Sequence, residues 1–469
     1  MNKDVAFKDI LKNLREENLA IFAGAGMSAK AGFVSWSELM KPIADELELE
    51  IENETDYVAL AQYHENEYKT RSKINQLLID ELSSNAIITE NHQILSRLPI
   101  STYWTTNYDK LIEASLEKEG KIPDVKYTVK QLALTKSKRD AVVYKMHGDV
   151  EHPSEAIITR DDYELYYIRM EPYLSALAGD LISKTFLFIG FSFTDPNLDY
   201  ILSRVRTTYK KDQRRHYCFM RKVQEELCED NVEFEYKKKK LNLFIKDLQR
   251  FSIETILIDE FEEITEFLAA LEKEINRDTV FISGAAHNYG EWGKEKAEEF
   301  IHLLSKRIIN EGFRIVSGFG LGVGSSVVSG ALEAIYQNLK SIPKDSLVLR
   351  PFPQTNSSEE IWTNYRRDML DHAGIAIFMF GNKIEDDELV ISNGMLEEFE
   401  LAKEKGLLII PIGQTGFVAK DIQIEIEKDL EQYYSTNKKL IELQKKLWQE
   451  SVDRDKIIEV IIKILRTAI

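Results

Sequence analysis

Two cysteines in 469 residues, Cys218 and Cys228, leave no second pair for a C-x-x-C zinc ribbon and no material for a disulfide framework. No metal site is expected, and a reducing compartment suits such a chain. Long apolar runs are missing as well. FLFIGF at 186–191 and IAIFMF at 375–380 are strand-length, well short of the roughly 20 residues a helix needs to cross a bilayer. The first 22 residues mix charges of both signs where a secretory signal would be apolar, so the expectation is a cytoplasmic protein without a membrane partner. An excess of positive charge is also lacking. The formal net charge is -18, a field that repels a nucleic-acid backbone overall. A localised ring of donors can still hold a nucleotide diphosphate in an acidic protein.

What is present is 43% hydrophobic residues in a chain long enough for two to four domains. Phe7, Ile10, Leu11 and Leu14 recur at helical spacing. LAIFAGAG then runs as a short strand into a glycine turn. Strand-like runs at 101–106, 141–146 and 185–190 alternate with helical patterns, as in a parallel sheet covered on both faces. From 205 to 250 the chain becomes strongly charged, with Lys210, Lys211, Arg214, Arg215 and the run Lys237 to Lys240. Acidic residues are interspersed and no aromatic stacking series accompanies them, which favours a solvated helix face or charged loop. Near 272–278 the pattern restarts, and strand-then-glycine units follow at 278–286 and 313–326, with later strands at IAIFMF and LLIIPIG. The predicted fold class is α/β, with two Rossmann-like doubly wound parallel-sheet domains over 1–275 and 276–469.

Three loops of the first domain carry candidate chemistry. Gly24-Ala25-Gly26 follows a strand and opens a helix, a geometry in which backbone N–H groups can face a pyrophosphate, and Ser28 can add a hydroxyl. Many such turns only let a strand meet a helix closely. Asn107 and Asp109 follow the next strand. An asparagine offers donor and acceptor and stays neutral beside a developing oxocarbenium ion, although a lone Asn there is ordinarily a turn residue. His147 with Gly148 follows a third strand, and imidazole can take a proton from a ribose hydroxyl or water near neutral pH.

FAGAGMSAKAG at 22–32, TTNYD at 105–109 and MHGD at 146–149 resemble, in order and spacing, the NAD-binding, Q-N-x-D and H-G motifs of the sirtuin superfamily. GFSFTDPNLDYIL at 190–202 resembles the late G-x-S segment of its prokaryotic members. The resemblance implies that Gly24, Ala25 and Gly26 line the pyrophosphate, that Asn107 positions the ribose and the attacking group, that Asp109 contacts the nicotinamide amide and that His147 is the base. Ser192, Asp195 and Asn197 are implied on the adenosine side. Two departures matter: Thr106 stands where deacetylases carry Gln, and the four zinc-binding cysteines are absent. Without the module that helps shape an acyl-lysine groove, water becomes the expected nucleophile. NAD+ is then a substrate and no cofactor is expected. The alternatives are an ADP-ribosyltransferase or deacylase, or a nucleotide sensor without catalysis.

In the second half, VFISG at 280–284 ends at Gly284, and Gly318, Gly320, Gly322 and Gly324 alternate before Ser325 opens a helix. Such alternation exceeds what packing alone is expected to need. This half resembles the SLOG superfamily, with Arg366 and Arg367 at its arginine region and Glu397 and Glu398 at its acidic pair. The P-G-G-x-G-T turn of its phosphoribohydrolases is replaced by FGNKIEDDELVISNG, which carries Lys383. Binding groups without that turn imply a nucleotide receptor. A sirtuin-like domain followed by SLOG is similar to the NAD-consuming effector of the Thoeris anti-phage system. That resemblance implies activation by a cyclic ADP-ribose isomer at the SLOG domain, a TIR-domain partner that makes the signal, and a homo-oligomer, a tetramer.

Overall fold

The computed structural model describes residues 2–82, 86–193, 195–209, 213–339, 342–343, 346–352, 359–434, 437–449 and 453–468. Two compact units, residues 1–272 and 273–469, each contain a parallel sheet. In the first unit the strands are β1 (Leu19–Ala23), β2 (Thr102–Thr105), β3 (Pro123–Lys126), β4 (Ala141–Lys145), β5 (Thr185–Ile189), β6 (His216–Arg221) and β7 (Ile253–Ile258). They lie in the order β3-β4-β2-β1-β5-β6-β7. β1 and β5 are buried along their whole length, as expected of parallel strands covered on both faces.

That order reverses direction at β1, so the crevice beyond its carboxyl end is the natural ligand position. Register makes the edge level. Ala23 pairs with Thr105 and with Ile189, and Thr105 pairs with Lys145, so the loops after β1, β2, β4 and β5 leave the sheet side by side. Phe22, Phe186, Phe188 and Trp104 fill the core beneath them, with Trp104 stacked on Tyr144 at 4.2 Å. A separate helical cluster, built on Met40, Ile43, Leu60, Ile74 and Leu78, packs against Tyr108.

The charged stretch resolves into β6 and the helix Asn231–Gln249, whose Lys237 to Lys240 are exposed. Lys237 and Lys238 pair with Glu233 and Glu235 of the same helix. Lys210 and Lys211 lie outside the described residues.

In the second unit β8 (Thr279–Ala285), β9 (Arg314–Ser317), β10 (Leu347–Leu349), β11 (Ile375–Phe380) and β14 (Leu408–Pro411) form a sheet ordered β10-β9-β8-β11-β14. Its reversal falls at β8. β12 (Asn382–Glu385) and β13 (Glu388–Ile391) make a separate hairpin turning at Asp386 and Asp387, both at positive φ. Among the described residues no helix is long and apolar enough to cross a membrane.

Candidate functional site

Loops from four strand ends of the first unit enclose a cleft of about 1110 Å³. Its wall includes Ala25 and Gly26, Asn107 and Asp109, His147, and Ser192 and Asp195. The amide and the imidazole singled out from sequence therefore open into one cavity with the glycine turn.

The turn itself differs from the expectation. Gly24 N–H donates to the Ile189 carbonyl and Gly26 N–H to the Gly190 carbonyl, both at 2.9 Å. Neither amide is left to face an anion. The physical reason is close backbone approach: a Cβ on Gly24 would stand 2.4 Å from Gly190 O, and one on Gly190, at φ +63°, would stand 2.2 Å from Met27 N. The helix it opens is only Ala25–Ser28 before a 3-10 turn.

Asn107 Nδ2 donates to Gly24 O and to Ser28 Oγ, each at 3.1 Å. Its carbonyl oxygen is what the side chain has to offer a ligand, an acceptor suited to a ribose hydroxyl or water. Ser28 Oγ donates to Asp109 Oδ2 at 2.9 Å, and Asp109 Oδ1 accepts from Leu111 N at 3.0 Å. Ser28 and Asp109 thus form one polar chain behind Asn107, with the Ser28 proton already committed.

His147 is 5% exposed, and its Nε2 lies 2.9 Å from Asp195 Oδ2. The ring is turned off the hydrogen-bond line, so Nε2 completes no hydrogen bond within the protein. Asp195, implied on the adenosine side, stands beside the imidazole. Asn197 is buried and absent from the cleft wall, and its backbone N–H donates to Asp195 Oδ1.

Sequence reasoning missed Lys145. Wholly buried at the end of β4, its ammonium donates to Tyr108 O at 3.0 Å, Asp109 O at 2.5 Å and Asp149 Oδ2 at 2.6 Å, with Glu113 Oε1 at 3.1 Å. Burial alone would lower its pKa, but Glu113 and Asp149 hold it above the ordinary lysine value. Burial pushes the Glu113 carboxyl up, against the lowering effect of the Lys145 ammonium. One cation thus pins both the loop of Asn107 and the loop of His147. The signal was a lysine closing the apolar run AVVY. At the cleft mouth Arg160, the one Lys or Arg lining it among the described residues, is paired with Asp56 at 2.8 Å.

In the second unit the glycine loop packs against the end of β8. A Cβ on Gly320 would lie 2.1 Å from Gly284 O, and one on Gly322, at φ +73°, 2.0 Å from Ala286 O. Gly324 is pressed against Phe319, and Gly284 against Met379 and Val323. Packing therefore accounts for these glycines, contrary to the expectation that it could not. Ser325 is exposed at the start of the helix Gly324–Gln337. Gly318 abuts Phe352, whose ring carries the Arg366 guanidinium at 5.1 Å.

Arg366 Nη1 bonds Glu397 Oε2 at 2.7 Å, and Arg366 Nε lies 3.8 Å from Glu398 Oε1. Glu398 Oε2 accepts from Ser283 Oγ at 2.6 Å. Burial pushes Glu398 up to about 7, against the lowering effects of Ser283 and Arg366. Arg366, Glu397 and Glu398 are thus one cluster with the unforeseen Ser283 and Phe352. Arg367, next along the helix, is exposed, and Lys383 pairs with Glu385 of its own hairpin at 3.1 Å. Neither joins that cluster.

A SIR2-like domain model matches residues 101–244 and a model of the Sir2- and TIR-associating SLOG family matches residues 263–468. Over 464 residues the chain is 53% identical to NAD(+) hydrolase ThsA of Bacillus cereus (strain MSX-D12), covering 98% of each. It is 47% identical to NAD(+) hydrolase ThsA of Acinetobacter baumannii (strain 532279), covering 97% of each, and 47% identical to that of Cytobacillus dafuensis, covering 92% of this chain and 90% of that one. With both domain types in order and this identity along nearly the whole length, the chain belongs to the NAD(+) hydrolase ThsA family, the SIR2–SLOG effectors of Thoeris systems.

Proposed function

We propose that this chain hydrolyses NAD+ to nicotinamide and ADP-ribose in its first unit, and that a cyclic ADP-ribose isomer bound to the second unit switches the reaction on. The observation that carries the reading is the shared cleft of Asn107, His147 and Ala25–Gly26 of the glycine turn. NAD+ is a substrate here and no resident cofactor or metal takes part. The Asn107 carbonyl oxygen faces the ribose as cationic character grows at C1′, and His147 takes the proton of the incoming water. The signal comes from a TIR-domain partner, the chain works in the cytoplasm as a homo-oligomer, a tetramer, and the outcome is NAD+ depletion in anti-phage defence.

For the second unit the reading rests on the Arg366, Glu397, Glu398 and Ser283 cluster, which combines a planar fork for phosphate with carboxylates for ribose hydroxyls or an adenine amino group. An unregulated NAD+ hydrolase would harm its host. A nucleotide site whose ligand prefers the active state provides control.

The test is purified protein with NAD+, with and without cyclic ADP-ribose isomers, followed by free nicotinamide. Asn107→Ala and His147→Ala should abolish release, and Arg366→Ala should abolish activation by the isomer while NAD+ still binds the first unit. Normal turnover in both first-unit variants would remove the assignment. Labelled ADP-ribose appearing on protein instead of free in solution would make the chain a transferase.

A further inference from the structure

We propose that Asp195 is a positioning residue for the hydrolytic reaction, holding His147 through Nε2 so that Nδ1 is the ring nitrogen that takes the proton from water. This rests on the hydrolase reading above. Three observations lead to it. Asp195 Oδ2 stands 2.9 Å from His147 Nε2, with the two side chains 8% and 5% exposed. Asp195 Oδ1 accepts from the amides of Asn197 and Leu198, both at 2.9 Å, so the carboxylate is clamped to the start of the helix Pro196–Tyr209. The imidazole is walled by Tyr163, edge-on at 5.4 Å, by Tyr166 at 6.4 Å and by Tyr108 at 6.4 Å, while Ile157 N–H holds the His147 carbonyl at 2.9 Å. A clamped carboxylate thus stands within hydrogen-bond distance of Nε2 on a ring enclosed by three tyrosines.

The electrostatics agree. Burial alone would raise the Asp195 pKa, yet the His147 ring and the two amides hold it below the ordinary aspartate value, so an anion faces the imidazole. Tyr108, Tyr163 and Tyr166, whose rings surround the imidazole, are pushed up by burial and stay neutral. Asp149, on the same loop, is engaged by Lys145.

In the step this supports, the C1′–N bond breaks and its electron pair leaves on neutral nicotinamide. Water oxygen bonds C1′, and its proton passes to His147 Nδ1. The imidazolium so formed faces the Asp195 carboxylate through Nε2–H and later releases its extra proton to solvent. The balance is NAD+ plus water to nicotinamide, ADP-ribose and one proton.

Asp195→Asn is the informative variant, because asparagine caps a helix as well as aspartate does and keeps the fold while removing the charge. Asp195→Ser, also a capping residue, serves if the first variant is poorly folded. With NAD+ and cyclic ADP-ribose isomers present, nicotinamide release should fall on the order of 10²-fold in kcat, with KM little changed. Unchanged kcat in the variant, or a raised KM with kcat intact as an adenosine contact would give, overturns the positioning role alone. A wild-type chain that releases no nicotinamide takes down the hydrolase reading, and this inference with it.

Discussion

Glu398 gives the sharpest quantitative test of the second unit. It sits on the helix Asn393–Glu404 with Ser283 Oγ at 2.6 Å, and burial moves its carboxyl from 4.5 up to about 7. In the unfolded chain it ionises near 4.5; in the folded chain it keeps its proton to near neutrality. Below pH 4.5 both states are protonated and the group contributes nothing to pH dependence. Between 4.5 and about 7 the unfolded state alone releases the proton, so stability falls as pH rises, by about 3 kcal/mol in all at about 1.4 kcal/mol per pH unit, then levels off. Glu398→Gln keeps a neutral side chain of the same shape, and Arg366 retains Glu397. The variant should match wild type near pH 4.5 and exceed it by up to about 3 kcal/mol near pH 8. Pulse proteolysis of the full chain in urea, scoring fragments from residues 273–469 across that pH range, reads the difference. Parallel pH curves for the two proteins would refute the burial argument. The same titration bears on the proposed activator: a ligand that donates a hydrogen bond to this carboxylate should bind more tightly at pH 8 than at pH 6.

Lys145→Met should destabilise the first unit by about 3–5 kcal/mol, since it leaves Asp149 and Glu113 buried without their cation; thermal unfolding that does not shift would contradict the pinning role. Gly190→Ala forces a Cβ to within 2.2 Å of Met27 N at a positive φ, and NAD+ affinity by calorimetry should drop with the displaced turn. Asn107→Asp removes the donors to Gly24 O and Ser28 Oγ and puts a carboxylate one hydroxyl away from Asp109; nicotinamide release should be lost, and wild-type turnover would mean the amide donors are dispensable.

Strands that are apolar nearly throughout were legible. LAIFA, TFLFI and IAIFMF appear as β1, β5 and β11 within a residue or so of where the pattern puts them. β3 (PDVK) was not legible because its composition is polar and charged, and β6 (HYCFMR) because its short apolar centre is bounded by His216 and Arg221 inside a strongly charged stretch. The loops bearing Asn107 and His147 could be placed because each directly follows a readable strand. Convergence on one cavity depends on the order β4-β2-β1-β5, which pairs strands far apart in sequence. Asp195 shows the limit most clearly: its residue type suggested a polar contact, but which group it faces is decided by the aligned ends of β4 and β5 flanking β2 and β1. The glycines mislead in the opposite direction. Spacing reads as a phosphate cradle, while the carbonyls they crowd belong to distant strands that no local pattern reveals.

Both sites present their cations already neutralised. Arg160 at the first cleft is held by Asp56, and Arg366 in the second unit by Glu397. An incoming phosphate must exchange with a carboxylate instead of meeting a bare charge, so its net gain is the difference between two ion pairs and is smaller than either. At the first site Asp56 and Arg160 are about half exposed, and water takes over the displaced carboxylate at little cost. At the second, the Arg366 side chain is 10% exposed while that of Glu397 is 35% exposed. The carboxylate can swing to water, but the guanidinium cannot follow it and must find a new anion in place. A buried arginine with a releasable partner should therefore favour ligands that bring their own phosphate to that position over neutral nucleosides, which would leave it unpaired if they displaced Glu397. Arg366→Lys should weaken this selection, because a point charge keeps the attraction but loses the fork that matches phosphate oxygens. Competition between adenosine and adenosine diphosphate for the second unit of a His147→Ala chain would show it: a smaller affinity ratio in the lysine variant than in its arginine parent is expected, and an unchanged ratio would place the phosphate elsewhere.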